Sequence, residues 1–269
     1  MVKERLKEWK TTNKDRTGDI LPTSILFYRD GVSESQFKIC IEHEVPQIRK
    51  AYTELGGNDA ELEITFIVVG KRHHTRFFAT APNQSYMYSK KTMDQNTGKP
   101  KFTKHIKGNL KPGLLVDSVV TNPEPYNFFL QSHIALQGTA RPAHYHVLVD
   151  EMKLGIDIPE LTLVLCTTFG RATKVVSYAA PAYIADRLCE RSRVYLRPWQ
   201  NGKVGPTWSS SELKHPNGTL FTKDEFKQWK KDKARALACT PAVWGNYREN
   251  GDVRLNPWHP NFDRCMFWL

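Results

Sequence analysis

The sequence has no Cys-x-x-Cys pair and no long apolar run. Its five cysteines, Cys40, Cys166, Cys189, Cys239 and Cys265, stand singly, which argues against a zinc site or a disulfide framework and for a reducing compartment. No stretch approaches the roughly 20 apolar residues that cross a bilayer. The opening Met1-Val2-Lys3-Glu4-Arg5 lacks the apolar core of a signal peptide. A cytoplasmic or nuclear chain with no membrane association is the expectation. Internal repeats are also absent. Acidic residues are in deficit, 28 against 39 basic, giving a formal charge of +11 and a pI near 9.4. Such a field favours polyanions, either nucleic acid or an acidic membrane surface, although charge alone does not separate these from a merely soluble basic protein.

What is present suffices for a core. Hydrophobic residues make up 40% of 269, enough for one large domain or two small ones. Val2, Leu6 and Trp9 mark one face of a short opening helix. Ser24 to Tyr28 contains Ile-Leu-Phe-Tyr, suited to a strand buried on both faces. Ser33-x-x-Gln36 is a capping box, and Phe37, Ile41, Val45, Ile48, Tyr52 and Leu55 continue at helical spacing, with Pro46 predicting a kink. After Gly56-Gly57, Ile64 to Val69 reads as a second buried strand. The unit is strand, helix, parallel strand.

Residues 81–113 read as an exposed basic loop or hairpin. Strands are predicted at about 114–120, 126–132 and 144–149, with a helix over 158–169, a short strand at Val175-Val176-Ser177, and a helix from Pro181 to about Leu196. One further helix is expected from Lys223 to Ala238. The apolar end Cys265-Met266-Phe267-Trp268-Leu269 is expected to be buried.

Several residues carry possible chemistry. Asp30 stands just past a buried strand, where open α/β sheets place their sites and where a carboxylate can hold Mg²⁺ or Mn²⁺; from spacing alone a turn former or helix-start partner is the plainer reading. Asp186 lies inside a helix beside Arg187, where an ion pair is the plain alternative. Lys71-Arg72-His73-His74-Thr75-Arg76 follows a strand and is placed to receive phosphates. Its adjacent histidines point to opposite faces and should not share an ion. His133, Gln137, Arg141, His144 and His146 form a second polar cluster, read first as a connector with core histidines. Arg171, Lys174, Ser177, Tyr183, Arg187, Arg191 and Arg193 form a third, either an ordinary basic surface or the lining of a phosphate-backbone channel.

Phe27-Tyr28-Arg29-Asp30-Gly31-Val32-Ser33-Glu34-Ser35-Gln36-Phe37, the run from Phe66 to Arg76, Gln137-Gly138-Thr139-Ala140-Arg141-Pro142-Ala143-His144-Tyr145-His146-Val147-Leu148, and Pro181-Ala182-Tyr183 occur in this order. Together they resemble the PIWI domain of eukaryotic, fungal-like Argonautes. The resemblance covers roughly residues 1–196, the C-terminal part of that domain, and weakens over 81–113. Residues 197–269 are read as a divergent extension packing back on it.

The resemblance implies an α/β, RNase H-like fold, a mixed sheet flanked by helices and incomplete at its N-terminus. It implies two metal ligands, Asp30 and Asp186, of a four-carboxylate site for Mg²⁺ or Mn²⁺. Arg171, Ser177 and Tyr183 would touch the backbone of a small guide RNA, and Arg191 its 5′ phosphate. Lys71, Arg72, His133, Gln137 and Arg141 would contact the segment that initiates pairing with target RNA. An upstream N-PAZ-MID region is the implied partner. The implied activity is endoribonuclease cleavage in the full-length protein, with this chain alone inactive. A non-cleaving RNA-binding module for silencing, and an inactive truncated fragment, are the rival readings.

Overall fold

The computed structural model describes residues 2–17, 20–94, 98–122, 124–135 and 137–200, and beyond these 214–215, 218–222, 224–226, 228–229, 232, 248–249 and 252–253. The chain divides into two compact units, Met1–Ala185 and Asp186–Leu269. The expected burial of residues 265–269, and most of the helix expected over 223–238, lie outside the described residues.

The first unit is built on a five-stranded sheet with parallel and antiparallel pairs. After helix α1 (Val2–Thr17) come β1 (Ser24–Asp30), a helical stretch, and β2 (Glu63–Gly70). β1 and β2 pair in parallel from Ser24↔Glu63 to Asp30↔Val69, as the crossover pattern predicts. The helical stretch is not uniform. It runs as a 3-10 turn (Glu34–Gln36), α2 (Phe37–Ile39), a π-helical turn (Cys40–Glu44) and α3 (Val45–Thr53). The kink expected at Pro46 takes the form of the widened turn before it: proline has no N–H for the carbonyl four residues back and its ring crowds that turn. The Ser33 N–H donates to the Gln36 Oε1 at 3.4 Å, which is one half of the predicted capping box.

Residues 81–113 form a hairpin, β3 (Ser85–Met93) and β4 (Pro100–Leu110), pairing only with each other. β5 (Leu114–Val116), β6 (Asn127–Gln131) and β7 (Ala143–Asp150) complete the main sheet, whose strand order is β1-β2-β7-β6-β5. β5 is shorter than predicted, because residues 118–120 bend and Val119 adopts φ +68°. α4 spans Ile158–Leu165, ending before the predicted 169, and α5 spans Ala180–Gln200. The predicted strand Val175-Val176-Ser177 is not one. The Val176 N–H donates to the Cys166 carbonyl at 3.0 Å and its carbonyl accepts from the Ser132 hydroxyl at 2.6 Å, so its backbone groups are satisfied without a neighbouring strand. In the second unit, Arg248–Glu249 and Asp252–Val253 pair as β8 and β9.

Both faces of the sheet are covered. Alternation along β2 sends Ile67 and Val69 to one face and Ile64, Phe66 and Val68 to the other. The first set packs with Tyr28, Phe128, Leu130, Tyr145, Ile158 and Ala182. The second packs with Leu6, Cys40, Val45, Ile48 and Tyr52 from the helices before β2. β2 is buried from Ile64 to Val69, whereas β1 is mostly half-buried. The difference follows from position: among the described residues β1 pairs only with β2 and forms an edge of the sheet. Trp9, expected on the buried face of α1, is 42% exposed, while Leu6 is buried. No helix among the described residues is long and apolar enough to cross a membrane.

Candidate nucleic-acid interface

Strand direction brings four predicted site residues to one end of the sheet. β1 and β2 run in parallel and finish at Asp30 and Gly70, leading to Lys71. β7 is antiparallel to β2, with Gly70 opposite His144, so Arg141 enters at that same end. β6 is antiparallel to β7 and finishes there too, leading to His133. No segment of local sequence contains this gathering; it arises from topology.

Lys71 is the centre of the cluster. Its ammonium lies 5.7 Å from the centroid of the Tyr178 ring, within the range of a cation-π contact. Arg141 donates through Nη1 to the Lys71 carbonyl at 3.3 Å. Burial pushes the Lys71 pKa down to about 8, and the positive charge of Arg141 adds to the effect. Burial likewise lowers His133 to about 4, with Lys71 contributing, and the buried His133 Nδ1 has no hydrogen-bond partner among the described residues. Among the described residues the groups that act on Lys71 are the Arg141 guanidinium and the Cys166 thiol, which burial keeps protonated, and on His133 it is Lys71; none of these is a carboxylate. A desolvated cation without an acidic counter-charge is a site that gains by accepting an anion.

The remaining predicted residues are distributed around this centre. Arg72 and Gln137 are exposed, as is Arg171, while Ser177 is half-buried. Tyr183 places its ring against Tyr178, 4.8 Å between centroids, and against Phe169 at 4.5 Å, so it supports the ring beneath Lys71. Tyr178 belongs to none of the three polar clusters of the sequence. It lies far from Lys71 along the chain and carries no motif, so only the fold reveals it.

The histidine stretch behaves as a core connector. His144 stacks on Phe129 with centroids 3.9 Å apart, and His146 lies 4.0 Å beyond it, against Phe37. The His144 Nε2–H donates to Asn127 Oδ1 at 2.9 Å. Burial lowers His144 to about 3 and also lowers His146, keeping both rings neutral. His73 is half-buried and donates through Nε2 to the Pro142 carbonyl at 2.9 Å, while His74 is exposed. The two adjacent rings thus differ in environment, as expected for extended backbone.

Asp30 closes β1 and is half-buried; the Gly31 N–H that follows donates to the Val69 carbonyl at 2.9 Å. Gly31 has φ +49°, a left-handed conformation that lets the chain turn immediately after the carboxylate. Arg29 binds both oxygens of Glu44 through Nε, at 3.1 and 3.3 Å, and donates through Nη1 to the carbonyls of Asp30 and Gly31. Asp186 belongs to the second unit and pairs with Arg187 Nη2 at 3.2 Å; Arg187 also binds Glu190 at 2.7 Å. Arg191 lies in the same helix and is exposed. Among the described residues no group of three or more His, Cys, Asp or Glu side chains is placed to hold a metal ion. Two carboxylates are too few for two hard cations, which take six or more oxygen ligands each.

The protein family described as Piwi domain matches residues 1–197. Protein argonaute 1B of Oryza sativa subsp. japonica is 42% identical over 199 residues, covering 74% of this chain and 16% of that protein. Protein argonaute 10 of Arabidopsis thaliana is 44% identical over 188 residues, covering 68% and 17%. The chain therefore spans about a sixth of the length of these relatives. Among solved structures, the C-terminal lobe of a budding yeast Argonaute superposes with a TM-score of 0.62 at 29% identity, over 85% of this chain and 43% of that one. Kluyveromyces polysporus Argonaute with a guide RNA gives 0.60 at 33% identity, over 72% and 22%.

Proposed function

This chain belongs to the Piwi domain family, its mixed sheet and flanking helices forming the RNase H-like fold of the C-terminal PIWI part of an Argonaute; on that ground we propose that it retains the phosphate backbone of a small guide RNA in RNA-guided gene silencing. The observation that carries this reading is the Lys71 ammonium, held on the Tyr178 ring with His133 and Arg141 about it and, among the described residues, no carboxylate acting on it. A phosphate oxygen would complete that site with charge-assisted hydrogen bonds. Such bonds fix the register of the strand and read no base, so target choice would rest with the guide. Arg72 and Gln137 extend the surface for phosphates of the segment that initiates pairing. We assign Arg171, Ser177 and Tyr183 to the guide backbone nearer its 5′ portion, and Arg191 to the 5′ phosphate. Cytoplasm or nucleus, where guide and target RNA reside, is the setting that this reading requires.

Asp30 and Asp186 are the carboxylates we assign to a Mg²⁺ or Mn²⁺ set, whose other ligands are to be sought outside the described residues. Retention without cutting is the second reading. The lack of any three-ligand group among the described residues favours it for this chain by itself.

Fluorescence anisotropy with a 5′-phosphorylated RNA tests the proposal. Lys71→Ala with Arg141→Ala should weaken binding at least tenfold and reduce the slope of log K against log salt by about 0.7 for each phosphate that is no longer neutralised. An unchanged affinity and slope in that double variant would overturn it.

A further inference from the structure

Residues 85–111 contain seven lysines and one acid, a net +6 of the formal +11 carried by the chain. They form the β3–β4 ribbon, which pairs with no other strand among the described residues. The register sets Lys91 opposite Phe102 and Ser89 opposite Lys104 on one face, with Met87 and Met93 beside them. The other face holds Tyr88 opposite His105 and Lys90 opposite Thr103. Phe102 is 66% exposed, Met93 62% and Tyr88 40%. Tyr88 and His105 stack with centroids 5.7 Å apart. A two-stranded ribbon wet on both faces is marginal by itself, and rings alternating with lysines are costly to leave uncovered.

Its foot is fastened to the candidate interface. Buried Asn109 donates through Nδ2 to the Gly138 carbonyl at 2.9 Å, and its Oδ1 accepts the Ala140 N–H at 2.8 Å, gripping the loop that carries Gln137 and Arg141. Gln131 donates to the Leu110 carbonyl at 3.0 Å, tying the ribbon to the end of β6 that leads to His133. The ribbon therefore rises from the end of the sheet where Lys71 and Arg141 meet.

We propose that this ribbon is a second nucleic-acid-binding arm, which takes single-stranded RNA by lysine–phosphate pairing and by stacking of unpaired bases on Tyr88, His105 and Phe102. Lysines offer point charges suited to a backbone of any sequence. Aromatic faces accept any base. The one acid, Asp94, closes the end of β3, so both long faces present positive charge to a polyanion. The arm goes beyond guide retention, because it requires neither a 5′ phosphate nor the Lys71 site.

The test uses the full chain and a labelled uridine oligonucleotide of about 12 nucleotides bearing a 5′ hydroxyl. Lys90→Glu with Lys101→Glu should lower affinity at least tenfold and flatten the salt slope by about 1.4. Tyr88→Ala with Phe102→Ala should lower it about tenfold with the slope unchanged. In the unsubstituted protein, a 4-thiouridine probe should cross-link to peptides of the ribbon, a readout that no folding defect can imitate. Unchanged affinity in both ribbon variants, or cross-links confined to other segments, would overturn the arm. Self-association of the unsubstituted protein that the ribbon variants abolish, with RNA affinity intact, would also overturn it and assign the ribbon to contacts between copies of this chain. If Lys71→Ala leaves 5′-phosphorylated RNA bound while the ribbon variants weaken the hydroxyl probe, guide retention fails and the arm stands; the opposite pattern separates them the other way.

Discussion

The Tyr28 hydroxyl and the Thr162 Oγ1 meet at 2.8 Å inside the core, joining β1, two residues before Asp30, to the middle of α4. Both side chains are buried, Thr162 completely, and burial raises the Tyr28 pKa to about 12, which keeps the phenol protonated. The bond fixes the height of β1 against the helix below it. Tyr28→Phe should lower the unfolding free energy by about 1–3 kcal/mol, the cost of leaving a buried hydroxyl with a weaker partner. Tyr28→Phe with Thr162→Val should recover part of that loss, since no polar group is then stranded. A denaturant titration in which the double variant is simply the sum of the singles would show that the two groups are not coupled.

Lys71 gives a prediction in pH. Its folded pKa, about 8, lies below the ordinary 10.5, so between these values the unfolded chain binds more protons than the folded one. The contribution of this group to stability therefore rises as pH climbs from about 8 to about 10.5. Bound phosphate should oppose this by restoring the charge and moving the pKa upward. Selective labelling of the lysines at increasing pH, with and without RNA, measures both; a Lys71 that reacts as an ordinary exposed lysine in the free protein would refute the burial argument.

The histidines act at the acid side. His133 at about 4 and His144 at about 3 are neutral in the folded chain well below the usual 6.5. Their contribution to stability is whole above about 6.5 and is lost as pH falls toward those values, because only the unfolded chain takes up the protons. Unfolding free energy should therefore drop steadily from pH 6.5 to 4. His144→Gln should shrink that drop at the cost of lower stability at pH 7, through removal of the stack on Phe129. An equal acid slope in the variant would place the proton uptake elsewhere.

Much of this fold can be read locally. The apolar runs at β1 and β2, the helical spacing between them and the proline-led start of α5 each carry their own periodicity, and the position of Asp30 at a strand end follows from that. Pro46 announces a kink, but whether a helix answers with a bend or a π turn depends on what α3 packs against. The β-branched pair Val175-Val176 favours a strand by propensity, yet Ser132 and Cys166 satisfy its backbone from elsewhere in the sequence. The ribbon is invisible to periodicity for a different reason: neither face is buried, so no apolar alternation is required. The Lys71 cluster needs three strand ends and a distant tyrosine, and no window of sequence contains them.

Asp30 supplies the last prediction. If phosphates are held by Lys71, Arg141 and the ribbon lysines, RNA binding by this chain should not depend on a divalent ion. Chelation with EDTA should leave the affinity for single-stranded RNA within about twofold, and Asp30→Ala should leave it unchanged or slightly raise it, since removing a negative charge near a polyanion lessens repulsion. The same substitution in a full-length protein that cuts its target should abolish cutting while guide binding persists, because a carboxylate at that strand end would serve the metal and not the backbone. A tenfold fall in affinity on chelation, absent in Asp30→Ala, would mean that a bound ion bridges the RNA to Asp30, and the division between charge that holds and charge that cuts would have to be abandoned.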